Sequence, residues 1–171
     1  MSKQTQLFVM DPKGIQKFNP IPWATTNFIS QIKQLNKVEQ IGSSVYGKTW
    51  SDLLLRALGE NQLLFDAFDQ TKLTTAFSEY NDLSKQFEAV SKAIKNRIVR
   101  GVDRDVFYVE TGNFDTHADM NTLLGSRAMA INEAFGSFVA EMKAQGRWDD
   151  VVVVFVSEFA RTLVPNTSGG R

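Results

Sequence analysis

Two short clusters of polar side chains contain the residue types that could perform chemistry in this sequence. Asp115 and His117 form the first cluster, and Ser157, Glu158 and Arg161 form the second. A carboxylate and an imidazole two residues apart lie on the same side of an extended backbone, so both could bind one ion. Oxygen and nitrogen ligands suit zinc, manganese or iron. We therefore predict a divalent metal site at Asp115 and His117. It needs at least one further ligand, because catalytic zinc normally takes three protein ligands.

The same residues also have a purely structural interpretation. Asp115 could cap the helix that follows it, with His117 packed locally. Glu158 and Arg161 are three residues apart and would form an ion pair on a helical turn. In the functional interpretation, Glu158 is a base or a ligand, and Arg161 binds an anionic oxygen such as that of phosphate or sulfate. Ser157 lacks the flanking glycines of a nucleophile elbow and is not predicted to be a nucleophile.

Each cluster directly follows an apolar segment, and these segments must position it. Residues 106–109 (VFYV) precede the first cluster, and residues 151–156 (VVVVFV) precede the second. The long segment between them has apolar residues at helical spacing, namely Leu124, Ala128, Ile131, Phe135, Phe138 and Met142. This order predicts a strand, a crossover helix and a parallel strand, so both clusters would meet at the carboxyl edge of one sheet. The predicted fold class is α/β.

The rest of the chain predicts helices and one irregular arm. Residues 1–40 indicate an extended arm and a weak helix, and residues 41–171 indicate a partial α/β domain with a helix-rich first half. A short helix over residues 50–58 should stop at Gly59. A second helix should begin after Asn81 or Asp82 and run to Gly101. Two strands alone leave both sheet edges unpaired, which favours an alternative function as a non-catalytic interaction protein that pairs through the exposed edge.

Composition excludes several classes of function. Lys and Arg together number 19, and so do Asp and Glu, which gives no electrostatic attraction to nucleic acid. The chain has no cysteine, so disulfides, thiolate nucleophiles and sulfur-ligated zinc are excluded. His117 is the only histidine, which excludes a multi-histidine site. No apolar run approaches the roughly 18 residues of a membrane span, and the first residues do not form a signal peptide.

Three motifs together resemble a known family. Residues 112–117 (GNFDTH), 157–163 (SEFARTL) and 166–170 (NTSGG) are similar to motifs of the bacterial family called domain of unknown function 1501. That family is placed in the alkaline phosphatase and sulfatase-like superfamily. The likeness extends over most of residues 41–170. Asn113 and Ala160 stand where the family usually has glycine.

The resemblance implies a metal site and also that this chain holds only part of it. By resemblance, Asp115 and His117 would be ligands of zinc or manganese, and Glu158 and Arg161 would line the site. Family members usually add an Asp-His-Gly motif after the Gly-Gly loop and begin with a strand that carries the nucleophile region. The resemblance therefore implies a central fragment of a longer protein that hydrolyses or binds anionic esters, and it implies that this chain alone is inactive. Its relatives are often exported by the twin-arginine route.

Overall fold

The computed structural model describes residues 27–36, 44–114 and 120–158. Five α-helices and one 3-10 turn occur in this part: α1 Asn27–Leu35, α2 Val45–Gln70, α3 Asp82–Lys95, α4 Arg97–Arg100, α5 Met120–Ala144 and the 3-10 turn Trp148–Asp150. The chain divides into two compact units, one of Ile15–Gln70 and the other of Met1–Gly14 with Thr71–Arg171. No helix in the described ranges is both long enough and apolar enough to cross a membrane.

The predicted α/β fold with parallel strands is wrong for the part of the chain that can be seen. Residues 106–109 and 151–156 form no strand, and no sheet occurs among the described residues. A strand exists only where its backbone groups pair with a neighbouring chain. Within the described ranges, the backbone groups of residues 106–109 and 152–156 make no hydrogen bond. The apolar composition identified extended chain, but it could not supply the partner that would make a sheet.

Helix α2 in the first unit is much longer than predicted. It continues through Gly59 to Gln70 and buries Leu58, Leu64 and Phe68. Glycine inside a helix costs about 1 kcal/mol relative to alanine, whereas burying one large apolar side chain contributes roughly 1.5–3 kcal/mol. The two buried residues beyond Gly59 therefore outweigh the local preference to stop. The prediction that this helix ends at Gly59 is wrong.

The core of the second unit lies between α3 and α5, which pack against each other. The Phe87 and Phe138 rings stack with centroids 4.9 Å apart. The fully buried members of this core are Leu83, Phe87, Val90, Ala134, Phe138 and Met142. In the predicted apolar stripe of α5, Phe138 and Met142 are confirmed as core, and Ile131 and Phe135 pack against it. Leu124 and Ala128, predicted for the same stripe of α5, are exposed.

The start of α3 is capped by Asn81, one of the two predicted capping residues. The Asn81 Oδ1 atom accepts hydrogen bonds from the backbone nitrogens of Leu83 (3.1 Å) and Ser84 (3.3 Å). Its Nδ2 atom donates to the carbonyl of Ala130 in α5 at 2.8 Å. One side chain therefore satisfies the helix end and also ties it to the neighbouring helix.

The predicted second helix also ends as expected, at Gly101, but it is interrupted once. The helix is interrupted at Asn96 before α4 ends at Gly101. Gly101 has a φ of 64°, the left-handed conformation that glycine adopts without strain. A helical stretch ending at Gly101 is confirmed, and the break at Asn96 was not predicted.

Glu141 is a fully buried carboxylate that joins α5 to the loop before α3. It accepts hydrogen bonds from the backbone nitrogens of Thr74 (2.9 Å) and Thr75 (2.7 Å) and from Gln145 Nε2 (2.9 Å). Burial raises the pKa of Glu141, but the hydrogen bonds from Gln145, Thr75 and Thr74 outweigh it, and the net pKa is lowered. The loop is therefore held in place by a buried charge.

Two extended segments lie against this core. In residues 106–109, Phe107 and Val109 pack against it, while Val106 and Tyr108 are exposed. Residues 151–156 alternate in the same way over their first four positions, with Val151 and Val153 packed inward. Alternation of packed and exposed side chains is the pattern of extended backbone. Both segments therefore run across the α3–α5 core and lead towards the predicted site.

Candidate functional site

Glu158 is the one predicted site residue that falls within the described ranges. It is exposed and lies in a bend directly after residues 151–156. Asp115, His117 and Arg161 lie outside the described residues, so their roles as metal ligands and anion-binding residue stay predictions. The structure describes how the chain is held just before these residues.

Gln86 of α3 fixes the end of the first extended segment. Its Nε2 atom donates to the carbonyl of Glu110 at 2.8 Å, and its Oε1 atom accepts from the backbone nitrogen of Glu110 at 3.0 Å. An amide side chain that pairs with both backbone groups of one residue imitates a neighbouring strand at that point. The segment is therefore anchored five residues before Asp115. A single half-buried glutamine on a helix has no distinctive spacing, so the sequence gives no signal for this role.

Asn113 has an unusual backbone conformation just before the first cluster. Its φ of 65° makes it the one residue other than glycine with a positive φ in the described part of the chain. Asparagine tolerates this left-handed conformation better than most residues do. Glycine adopts the same conformation freely.

The ends of the two segments are linked electrostatically through Tyr108. The Tyr108 hydroxyl donates a hydrogen bond to Glu110 Oε2 at 3.0 Å. This bond raises the pKa of Tyr108 above its ordinary value of 10.0, and the charge of Glu110, burial and the charge of Glu158 raise it further. Each of these effects disfavours the negatively charged phenolate form of Tyr108.

The contribution from Glu158, the smallest of the four, is consistent with the two segment ends lying near each other. Charges in contact with solvent act over only about 10 Å at 0.1 M salt, because ions screen them. Glu158 closes the second segment, and Tyr108 belongs to the first, yet the charge of one acts on the hydroxyl of the other. The two segments thus end within electrostatic range of each other.

The described side chains at this place are acidic and do not complete a metal site. Glu110 and Glu158 both offer carboxylate oxygens, and both are exposed. Such groups attract a cation and repel a free anion. Among residues 27–36, 44–114 and 120–158 there is no group of three or more histidine, aspartate or glutamate side chains that could hold a metal ion.

Comparison with known proteins identifies the family. No curated protein and no solved structure matches the chain. A family model described as "Protein of unknown function (DUF1501)" matches residues 51–171, which is more than half of the chain. The match includes both extended segments and both polar clusters. The chain therefore belongs to the DUF1501 family.

Proposed function

We propose that this chain is part of a metal-dependent protein of the alkaline phosphatase and sulfatase-like type, which binds or hydrolyses anionic esters. Asp115 and His117 are its proposed ligands for zinc or manganese. Glu158 and Arg161 are proposed to line the same site, with Arg161 binding an ester oxygen. This chain supplies only some of the ligands and is proposed to be inactive alone.

The observation that carries the proposal is that both extended segments pack against the same α3–α5 core, one through Phe107 and Val109 and the other through Val151 and Val153. The effect of the Glu158 charge on Tyr108 agrees with this arrangement. Tyr108 precedes Asp115 by seven residues, and Glu158 precedes Arg161 by three. Because the two segments end near each other, we propose that the clusters that follow them contribute to one site. The anchor at Gln86 supports the same arrangement, because it fixes the end of the first segment.

Charge supports a metal in this proposal rather than direct binding of an ester. The carboxylates of Glu110 and Glu158 would repel an anionic substrate unless a cation lay between them and the substrate. A divalent ion would neutralise them and polarise an ester oxygen. Arg161 would supply the second positive group. The divalent ion and Arg161 are both needed before an anionic ester could bind beside Glu110 and Glu158.

Manganese binding tests the ligand assignment. We expect weak Mn²⁺ binding by the chain, followed through the EPR signal of the free ion, and loss of that binding in Asp115→Asn and in His117→Ala. Binding should also weaken as pH falls through roughly 6.5, because imidazole must be neutral to donate its lone pair. Asp149→Asn is the matched control, since Asp149 is exposed in the 3-10 turn and the charge change is the same.

Two results would contradict the proposal in different ways. Equal Mn²⁺ binding by the wild type, Asp115→Asn and His117→Ala would remove both residues as ligands. Tight stoichiometric binding with hydrolysis of phosphate or sulfate esters that depends on Asp115 and His117 would show that the site is complete. The second result would overturn only the proposed inactivity of the chain.

The alternative function, an interaction protein that pairs through a sheet edge, has no sheet edge to use in the described structure. The extended segments lie unpaired on the helical core instead. This alternative is therefore not supported in the form in which the sequence suggested it.

A further inference from the structure

The outer side of residues 151–156, the valine segment, is a strip of exposed apolar surface. Val152 is 89% exposed, Val154 is 74% exposed and Val156 is 84% exposed. On the other side, Val151 and Val153 pack against the core, and the Phe155 ring meets Phe135 edge-on at 5.3 Å. The segment is therefore held firmly along one side while its other side has no cover among the described residues.

The backbone of the valine segment is equally unpaired. None of residues 152–156 makes a backbone hydrogen bond within the described ranges, and none of them is charged. An extended, uncharged run rich in β-branched residues accepts an added strand readily. Residues 106–109 are less suitable, because they form a shorter segment and Gln86 already pairs with both backbone groups of Glu110 at its end. The valine segment is thus the better docking surface for an extended chain.

We propose that residues 7–10 (LFVM) of this same chain dock along the valine segment as an added strand. They are the longest uninterrupted apolar run outside the described residues. Pro12 follows two residues later and, because it lacks a backbone donor, would end the pairing there. The chain thus provides both a surface and an occupant of matching character.

A segment of the same chain has an entropic advantage over any separate molecule. A second copy or a foreign strand must lose translational and rotational freedom on binding, whereas a tethered segment acts at a high effective concentration. Residues 7–10 and the valine segment carry no charge to oppose their contact. The intramolecular occupant is therefore favoured over the same contact made between two copies.

Cysteine cross-linking tests this contact without interference, because the chain has no native cysteine. Two variants combine Val154→Cys with Phe8→Cys or with Val9→Cys, and a short bis-maleimide joins neighbouring thiols. Adjacent strand residues point to opposite sides, so one of the two pairs should link within the monomer. In the control variant, the same N-terminal cysteine is combined with Tyr80→Cys instead of Val154→Cys. The linking pair should react at least about tenfold faster than this control. Tyr80 is 99% exposed and belongs to the same unit.

The cross-linking results separate the candidate occupants. A monomeric product formed at a rate independent of protein concentration supports the proposal. A dimeric product that increases with concentration assigns the surface to a second copy and overturns it. Equal rates for the Val154→Cys and Tyr80→Cys variants also overturn it, because the two segments then have no preferred contact.

Hydrogen exchange provides a second measurement on the unmodified full chain. The amides of residues 152–156 should exchange at least about tenfold faster in Phe8→Asp/Val9→Asp than in the wild type. Ser2→Asp/Gln4→Asp adds the same charge outside the docking run and should leave the rates unchanged. Unaltered protection of α3 and α5 shows that the core has stayed folded. Equal exchange in the wild type and in Phe8→Asp/Val9→Asp would contradict the proposal.

Discussion

Glu141 offers the sharpest test of how the second unit is held together, because one buried carboxylate serves three donors. Replacing it by alanine leaves the backbone nitrogens of Thr74 and Thr75 and the amide of Gln145 without their acceptor. Each donor left unsatisfied in the interior costs about 1–3 kcal/mol. The loop can move and admit water, so we expect Glu141→Ala to lower the free energy of unfolding by about 3–5 kcal/mol.

Glu141→Gln should cost much less, because a neighbouring group can adapt. The glutamine oxygen can still accept from Thr74 and Thr75. Its new amide hydrogens would face Gln145, whose Oε1 atom is buried and has no hydrogen-bond partner. Rotation of the Gln145 amide would turn this oxygen towards the new donor. The Gln145 Nε2 atom would then lose its 3.3 Å hydrogen bond to the carbonyl of Ser91. We expect a loss of about 1–2 kcal/mol, since hydrogen bonds to a charged group are replaced by neutral ones.

Urea unfolding measures both changes, with Glu133→Gln as the matched control. Glu133 lies on the same helix and is exposed, so its substitution removes the same charge without a buried contact. Its free energy of unfolding should stay within about 0.5 kcal/mol of the wild type. Equal values for Glu133→Gln and Glu141→Ala would refute the reasoning, because the buried carboxylate would then have no special role.

Three further predictions follow from the described contacts. The lowered pKa of Glu141 gives stability that is present above its ordinary pKa of 4.5 and lost as pH falls below it, so acid unfolding monitored by circular dichroism should be steeper for the wild type than for Glu141→Gln. Gln86→Ala removes both bonds to Glu110 and should speed amide exchange at residue 110 while leaving α5 unchanged; equal protection in both proteins would contradict this anchor. Asn113→Val should lower stability by about 1–2 kcal/mol through its positive φ, whereas Asn113→Gly should leave stability nearly unchanged; calorimetry that finds the two variants equal would argue against the left-handed turn.

Helices were predictable wherever local signals agreed with burial. In α3, the predicted capping residue Asn81 starts the helix in the structure, and Leu83 and Phe87 directly after it are buried. Gly59 misled the prediction because its local preference was contradicted by burial of Leu64 and Phe68 further along. The local spacing of residues indicates the conformational preference of one helical turn. Which side chains become buried depends on the packing of the whole unit.

The α/β prediction failed for a different physical reason. Extended chain can be identified from residues such as Val152 and Val154, but a strand also requires a partner, which is not a property of the segment itself. For the site, the two polar clusters could be recognised from residue type. Gln86 and the conformation of Asn113 could not, since a single amide side chain has no periodic pattern.

Titration of Tyr108 tests most directly the central claim, that the two segments end beside each other. NMR or ultraviolet titration at low salt should give a pKa above 10.0 for the wild type and a lower pKa for Glu158→Gln. The difference should shrink at high salt, and Glu79→Gln, an exposed control on the loop before α3, should have no effect. A Tyr108 pKa that is the same in the wild type and in Glu158→Gln at low salt would contradict the account, because the two clusters would then not share one place.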